Sequence, residues 1–379
     1  MKYIRMPIEV ESPEQMGYDR IKFNLSESSY TDAAFGDIGQ LATDLKDLIL
    51  CYGSHAGHEG LRELVAKDSG IGGNAPIFYK DDVLLTIGAA AGLFIIASSL
   101  LEPGDELVVV RPNYATNIET PRAIGASIRF IDLHFEEGFR LNMQALKNTI
   151  SPKTKYISVT HPHNPTGICL SDTEMKELAA VAEDNNIWLL VDETYRDMVF
   201  GEKLPPAPEY SEKVISVSSL SKSYGLPGIR MGWIICRNKQ LMETFLAAKE
   251  QIHICGSVLD EEVAFRYLQQ KDKYFEKIRS DIGEKFNMVK AWMSAQKGFE
   301  WVEPQGGCVC FPRIKDPERV DLNKFYELLL HQYGTYTGPG HWFDMPRHYL
   351  RLGFGWPSKE ELAGGLAALS KSLEEASTH

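Results

Sequence analysis

Seven short apolar runs, separated by stretches with helical periodicity, constrain this chain more than any other feature. They lie at 83–87 (VLLTI), 106–110 (ELVVV), 126–131 (ASIRFI), 156–160 (YISVT), 187–191 (IWLLV), 214–218 (VISVS) and 231–236 (MGWIIC). Their near-continuous apolar character fits strands buried on both faces, as in a parallel sheet covered by helices. The clearest intervening helix is 171–185 (SDTEMKELAAVAEDN), where Ser171 and Glu174 make a capping box. The expected fold class is therefore α/β with a mostly parallel central sheet. Beyond about 240 the pattern changes. Residues 240–295 read as long helices, nearly unbroken over EEVAFRYLQQKDKYFEKIRSDIGEKFNMVKAWM. Strands are expected around 307–312 and 349–354, with a helix over 321–330, making a smaller α+β unit. The first 45 residues have little sheet periodicity and are expected to pack on that unit. A chain of 379 residues accommodates this division. The large domain is placed at 46–280, and the small one at 1–45 and 281–379, including an N-terminal arm.

Charge and cysteine usage narrow the function classes. The formal net charge is −12, which argues against a nucleic-acid partner and is compatible with a cationic substrate. Residues 83–100 carry no charge over 18 positions, the lower limit for a membrane span. Thr86 and Gly88 divide them into a short strand and a buried helix, so no membrane role is expected. The six cysteines form no CxxC pair, and Cys308 and Cys310 in GCVCF read as one face of a strand. Free thiols in a reducing compartment are expected, with no metal site. The N-terminal MKYIRMPIEVESPE lacks the apolar core of a signal peptide, and the expected location is the cytoplasm.

Ligands of open α/β sheets bind beyond the carboxyl ends of the strands. Four of these ends carry unusual residues. VLLTI leads into Gly88, Ala89 and Ala90; YISVT into HPHNPTG with Asn164; IWLLV into DETY with Asp192 and Tyr195; VISVS into Ser219, Ser221 and Lys222. Singly, each has a plain structural explanation: Gly88 makes a tight turn, Asn164 holds one, Asp192 caps a helix, and Lys222 is a solvated loop lysine. Together they share one address and answer the needs of pyridoxal phosphate. A lysine amine can condense with the cofactor aldehyde. A carboxylate, here Asp192, sits beside the ring nitrogen. The phosphate needs backbone N–H groups at a helix start, hydroxyls and a cation, for which Ala89, Ala90, Ser219, Ser221 and Arg230 are candidates. Asn164 and Tyr195 can donate to the ring oxygen, and Tyr114 in RPNYA can cover a ring face. No phosphate-binding GxxxxGK[ST] loop occurs, and GAAAG lacks the glycine spacing of a nicotinamide site.

On these motifs the sequence resembles the class I/II aminotransferases, pyridoxal-phosphate enzymes of fold type I, over nearly the whole chain. SLSKSYGLPGIRMGW looks like the cofactor-lysine motif of that family. The resemblance implies that Lys222 links to the cofactor and shuttles the Cα proton, with Ser219 and Arg230 on the phosphate. It implies Asn164 and Tyr195 on the phenolic oxygen, Asp192 on the pyridine nitrogen, and Tyr114 stacked on the ring. Tyr52, in CYGSHAGHEGLRELVA, matches a tyrosine that reaches the phosphate of the neighbouring subunit, so a homodimer with shared active sites is implied. Arg351, in YLRLGFG, matches the arginine that grips the substrate carboxylate.

KFNLSESS and YGSHAGHEGLRELVA look like a branch that contains capreomycidine synthase. Ordinary members usually carry a glycine-rich pattern where Ser26, Glu27 and Ser28 stand here. The resemblance implies a small-molecule amino acid substrate, a hydroxyarginine that loses water and cyclises to a capreomycidine- or enduracididine-type ring. The alternative is an ordinary aminotransferase that passes an amino group from an L-amino acid to a 2-keto acid. A guanidinium wants carboxylates, and Glu27 is the first candidate, with Glu9 and Glu11 behind it or simply acidic surface on the arm. His163 and His55 are candidate proton carriers. Their structural alternatives are shaping the HPHNP loop for His163 and contacting the other subunit for His55.

Overall fold

The computed structural model describes residues 3–38, 45–69 and 77–377. A short first strand, β1 (Phe23–Leu25), precedes the seven apolar runs, all of which are strands. These are β2 (Val83–Ile87), β3 (Glu106–Arg111), β4 (Ser127–Asp132), β5 (Thr154–Thr160), β6 (Trp188–Asp192), β7 (Val214–Ser219) and β8 (Met231–Cys236). They form one sheet in the order β2-β8-β7-β6-β5-β3-β4. Only β8 runs antiparallel to its neighbours. The architecture is the expected α/β class, a large mostly parallel sheet accompanied by a smaller α+β region.

The apolar runs of the central strands are continuous because both faces of the sheet are covered there, whereas the edge strand β4 buries only Ile131. In β3, Leu107 and Val109 join one core cluster with Leu93, Ile96 and Phe245 from flanking helices. Val108 and Val110 join another with Met175, Leu178 and Val181. Each such side chain contributes about 1.5–3 kcal/mol by leaving water, so polar alternation along the central strands would be costly. The capping box is present: Ser171 Oγ accepts the Glu174 N–H at 3.2 Å, and the Ser171 N–H donates to Glu174 Oε2 at 2.7 Å. The uncharged stretch 83–100 divides into β2 and the helix Gly88–Leu100. Among the described residues no helix is long and apolar enough to cross a membrane.

The C-terminal part differs from expectation in detail. Residues 240–295 are long helices as expected, Lys239–His253, Val258–Gln269 and Lys271–Ala295, and the run expected to be nearly unbroken is interrupted once, at Gln270. Ile254 at φ +60° ends the first, and the Ser257 hydroxyl caps the second by accepting the Asp260 N–H. The remaining strands are β9 (Phe299–Glu300), β10 (Val309–Cys310), β11 (Arg313–Ile314), β12 (Thr335–Pro339) and β13 (Leu350–Gly353). Pairing β1 parallel to β12 ties the N-terminal segment to a four-stranded sheet, β1-β12-β13-β10. The sequence pattern reveals neither β1 nor β12. Cys308 and Cys310 are buried, and all six cysteines are free.

Gly353 sets how closely the segment after β1 lies on β13. A Cβ there would collide with the Glu27 carbonyl oxygen and approach the Leu25 carbonyl to 3.3 Å. Gly353→Ala is therefore expected to lower stability by about 1–3 kcal/mol, read as a lower urea midpoint. An unchanged midpoint would mean the segment can move away freely.

Candidate active site

The strand register builds the site. Strands β2, β3, β5, β6 and β7 all end at one sheet edge, while antiparallel β8 begins there. Ile87 lies opposite Met231, Ser219 opposite Gly232, and Thr160 opposite Asp192. Arg230, immediately before β8, therefore joins the residues that follow the parallel strands. The small sheet supplies the opposite wall through Arg351 on β13 and Ser26–Ser28 after β1. Between them lies a cavity of about 340 Å³.

Glu9, Glu27, Ala89, Ala90, Tyr114, Asn164, Asp192, Tyr195, Ser219, Ser221, Lys222, Arg230 and Arg351 all line this cavity. Gly88 sits at its edge with φ +73°, and a Cβ there would collide with the Arg230 guanidinium. The helix Gly88–Leu100 thus starts with no side-chain cap, bare N–H groups and a guanidinium across its end. Arg230 is steadied by the Pro227 carbonyl at 2.8 Å. This is a suitable cradle for a phosphate. Asp192 Oδ1 accepts two bonds from Thr194, from its N–H at 3.1 Å and its hydroxyl at 2.6 Å, which lock the carboxylate. Burial pushes its pKa up, while Thr194 and nearby Lys222 hold it down. A protonated ring nitrogen would complete that environment. The residues present fit pyridoxal phosphate.

The walls carry opposed charges. Arg351 is 4% exposed; Nη2 donates to the Ser26 carbonyl at 2.7 Å and Nη1 to Asn164 Oδ1 at 3.2 Å. Its buried Nε has no hydrogen-bond partner among the described residues. The Tyr195 hydroxyl donates to the Ser28 carbonyl at 2.7 Å, tying the post-β6 loop to the N-terminal segment. Burial lowers the pKa of the Lys222 amine, with Glu27 opposing and Arg351 reinforcing the shift. Burial raises that of Glu27, against Lys222 and Arg351 and with Glu14 and Asp32.

Four other expected residues do not line the cavity. His163 is buried outside this cavity, Nδ1 meeting the Thr166 hydroxyl at 2.8 Å and Nε2 the Pro112 carbonyl at 2.9 Å. Burial lowers its pKa to about 4, and with both ring nitrogens engaged this placement favours the loop-shaping alternative over proton transfer in this cavity. His55 Nδ1 contacts Glu250 Oε1 at 2.6 Å, outside the cavity. Tyr52 is 83% exposed and does not reach the cavity of its own chain. Glu11 is bound to the cavity wall rather than lining it. Sequence reasoning missed Thr194, Glu14 and Trp342. Thr194 was legible in DET as a hydroxyl two residues after the carboxylate, whereas Trp342 has no local signal.

Comparison with known proteins agrees with this geometry. A family model, aminotransferase class I and II, matches residues 20–369. Capreomycidine synthase of Streptomyces vinaceus is 30% identical over 366 residues, covering 94% of this chain and 91% of that protein. A crystal structure of a PLP-dependent aminotransferase from Streptococcus suis superimposes with a TM-score of 0.90 at 27% identity, covering 100% of both chains. That of the PLP-dependent cyclase OrfR gives 0.87 at 26% identity, covering 99% of this chain and 98% of that one.

Condensation with an aldehyde needs a neutral amine, and burial makes the neutral form of Lys222 available at lower pH than for an exposed lysine. The protein is expected to develop a near-visible absorbance band with pyridoxal phosphate at neutral pH, and Lys222→Ala to lack it. An undiminished band in the variant would remove Lys222 from that role.

Proposed function

This chain belongs to the aminotransferase class I and II family, and we propose that it dehydrates and cyclises a hydroxyarginine. Pyridoxal phosphate is its cofactor. The observation that carries the substrate reading is the charge layout of one cavity. Arg351 offers a single buried guanidinium, suited to the α-carboxylate, while Glu27 and, towards the open side, Glu9 and Glu14 line the same cavity with carboxylates. An amino acid with a cationic side chain matches that layout. Similarity to capreomycidine synthase and to the cyclase OrfR supports the same choice.

The cofactor, when bound, supplies an electron sink for the bond broken at Cα. Arg351 orients the α-carboxylate, and Asn164 lies beside it. Lys222, neutral through burial, takes the Cα proton. For a β-hydroxyl, the carbon–oxygen bond breaks and that proton leaves with the oxygen as water. A guanidine nitrogen then bonds to the vacated carbon, and its proton returns through Lys222 to Cα. A γ-hydroxyl requires the β proton to be removed as well. The balance is one water lost and one carbon–nitrogen bond formed within the molecule, with no oxidant. Glu27 holds the guanidinium meanwhile and must be ionised to do so. Because burial raises its pKa, substrate binding is retained above that raised value and lost as pH falls through it.

Two organisational points accompany this reading. The division into 46–280 against 1–45 with 281–379 is supported by the pairing of β1 with β12. A homodimer is supported by an apolar exposed surface. Ile49, Leu50 and Tyr52 lie on a segment where Gly53 abuts Val258, next to exposed Ile252, Ile254 and Leu259.

The second reading, an ordinary aminotransferase, is favoured by the family match and the Streptococcus suis likeness. The two separate cleanly. The holoenzyme is incubated with L-arginine, 3-hydroxyarginine or 4-hydroxyarginine without any keto acid, and product masses are followed. Loss of one water with the amine retained is expected from a hydroxylated substrate; turnover only after a keto acid is added would establish transamination instead. Glu27→Gln is expected to raise the Kd for the arginine-like substrate about tenfold or more, the scale of a charged hydrogen bond, with the cofactor absorbance intact. Equal constants in variant and parent would take Glu27 out of the site.

A further inference from the structure

Residues 7–16 cross the cavity wall as two short helical turns, Pro7–Val10 and Pro13–Met16. Ile8, Glu9, Ser12, Pro13 and Glu14 all line the cavity, Glu9 and Glu14 as exposed residues on its open side. Little within the segment keeps it there. Neither turn has a side-chain cap bond, and helices of four residues do not persist alone. Among the described residues, the segment's hydrogen bonds to β12 and the turn after it all come from Glu11. Glu11 Oε2 accepts the Trp342 indole N–H at 2.6 Å and meets His341 Nε2 at 2.8 Å, while the Glu11 carbonyl accepts the Tyr336 hydroxyl at 2.8 Å. Tyr336 lies on β12, and His341 and Trp342 lie in the turn Gly340–Phe343 between β12 and β13. Buried Ile8 adds an apolar anchor in the cluster that contains Trp342 and Phe343.

The partner makes this attachment specific. Trp342 is buried and lines the cavity, so its indole N–H needs a fixed acceptor, and a carboxylate is a strong one. The same bond therefore sets the wall residue and the segment crossing it. Glu14 on that segment interacts electrostatically with Glu27 across the cavity end, and Glu9 with Lys222.

We propose that residues 7–16 are a strap pinned by Glu11, a positioning residue, and that the pinned strap presents Glu9 and Glu14 so that the cavity selects a cationic side chain. The selection clause rests on the substrate reading above; the pinning does not. The test uses the full-length holoenzyme and Glu11→Ala. Hydrogen–deuterium exchange over residues 7–16 is expected to quicken about tenfold, the scale of losing charge-assisted bonds. Calorimetric titration is expected to show arginine binding about tenfold more weakly, a loss of ~1.4 kcal/mol, with norleucine unaffected. Glu11→Gln keeps an acceptor for Trp342, and it should shift both readings in the same direction by less if Glu11→Ala does not fold. Unchanged exchange in a folded variant would overturn the pinning. Faster exchange with both affinities unchanged, or both weakened equally, would overturn the selection. A parent enzyme that binds norleucine as well as arginine would sink the substrate reading and the selection clause together, while exchange would still decide the pinning.

Discussion

A guanidinium withdrawn from water has to be met by fixed acceptors, and Arg351 is where this chain meets that demand. Its two terminal nitrogens reach the Ser26 carbonyl and Asn164 Oδ1, while its charge lies 5.0 Å from the centre of the Phe343 ring. Three distant stretches are thereby held together: the segment after β1, the loop after β5, and β13. Leaving such a buried group without an acceptor costs about 1–3 kcal/mol, and more when it is charged. The N-terminal segment consequently cannot drift from the sheet edge without leaving the guanidinium exposed to that penalty. Tyr195 repeats the tie from the other side through the Ser28 carbonyl. The same arginine that closes the two halves of the site also presents an anion-binding face to its interior.

Around that fixed charge the remaining ionisable groups constrain one another. Burial drives Lys222 towards its neutral form and Glu27 towards its protonated form, and each partly restores the other's charge. A ligand carrying an anion at one end and a cation at the other would relieve both. Behind the cavity a second network immobilises the loops that bear the reactive groups. Asp197, five residues beyond Asp192, accepts from Lys203 Nζ at 2.5 Å, from Lys271 Nζ at 3.3 Å and from the Tyr224 hydroxyl. Tyr224 is two residues beyond Lys222. Its pKa is raised, chiefly by burial and then by Asp197, and the Lys271 ammonium lies 5.7 Å from its ring centre. The loops after β6 and β7 are thus clamped from below, while their functional side chains face upward.

The sheet and its edge were legible for a physical reason. Strands buried on both faces must be apolar throughout, so the central strands announce themselves, and a polar residue at their ends stands out against them; the edge strand β4 is largely exposed, with only Ile131 buried. Lys222, Asp192 and Asn164 could be grouped because the position of a strand end follows from the run itself. The small sheet offered no such signal. β1 has three residues, and β12 carries Thr-Tyr-Thr-Gly-Pro, neither long enough nor apolar enough to declare a strand. His163 misled because HPHNP places two histidines beside a site residue. Chain proximity says nothing about the Pro112 carbonyl and Thr166 hydroxyl that occupy its ring nitrogens. The break at Gln270 was hidden because its flanks, YLQQKDKY, keep a helical composition.

This difference in legibility follows the division of labour within the molecule. Proton transfer and cofactor retention need groups held at fixed separations, and the sheet edge supplies them because strand register leaves little freedom. Choice of side chain needs a wall that can differ without disturbing that register. Here the wall is built from the strap, from Glu27 after β1, and from the turn bearing Trp342, all outside the large sheet. Closing such long-range contacts adds little entropy cost per added residue of separation, so the N-terminal segment can reach across more than 300 residues of chain to Trp342. Within a family whose sheet edge is constrained by cofactor chemistry, the first 30 residues and the turn at 340–343 are therefore where a change of substrate meets the least structural resistance.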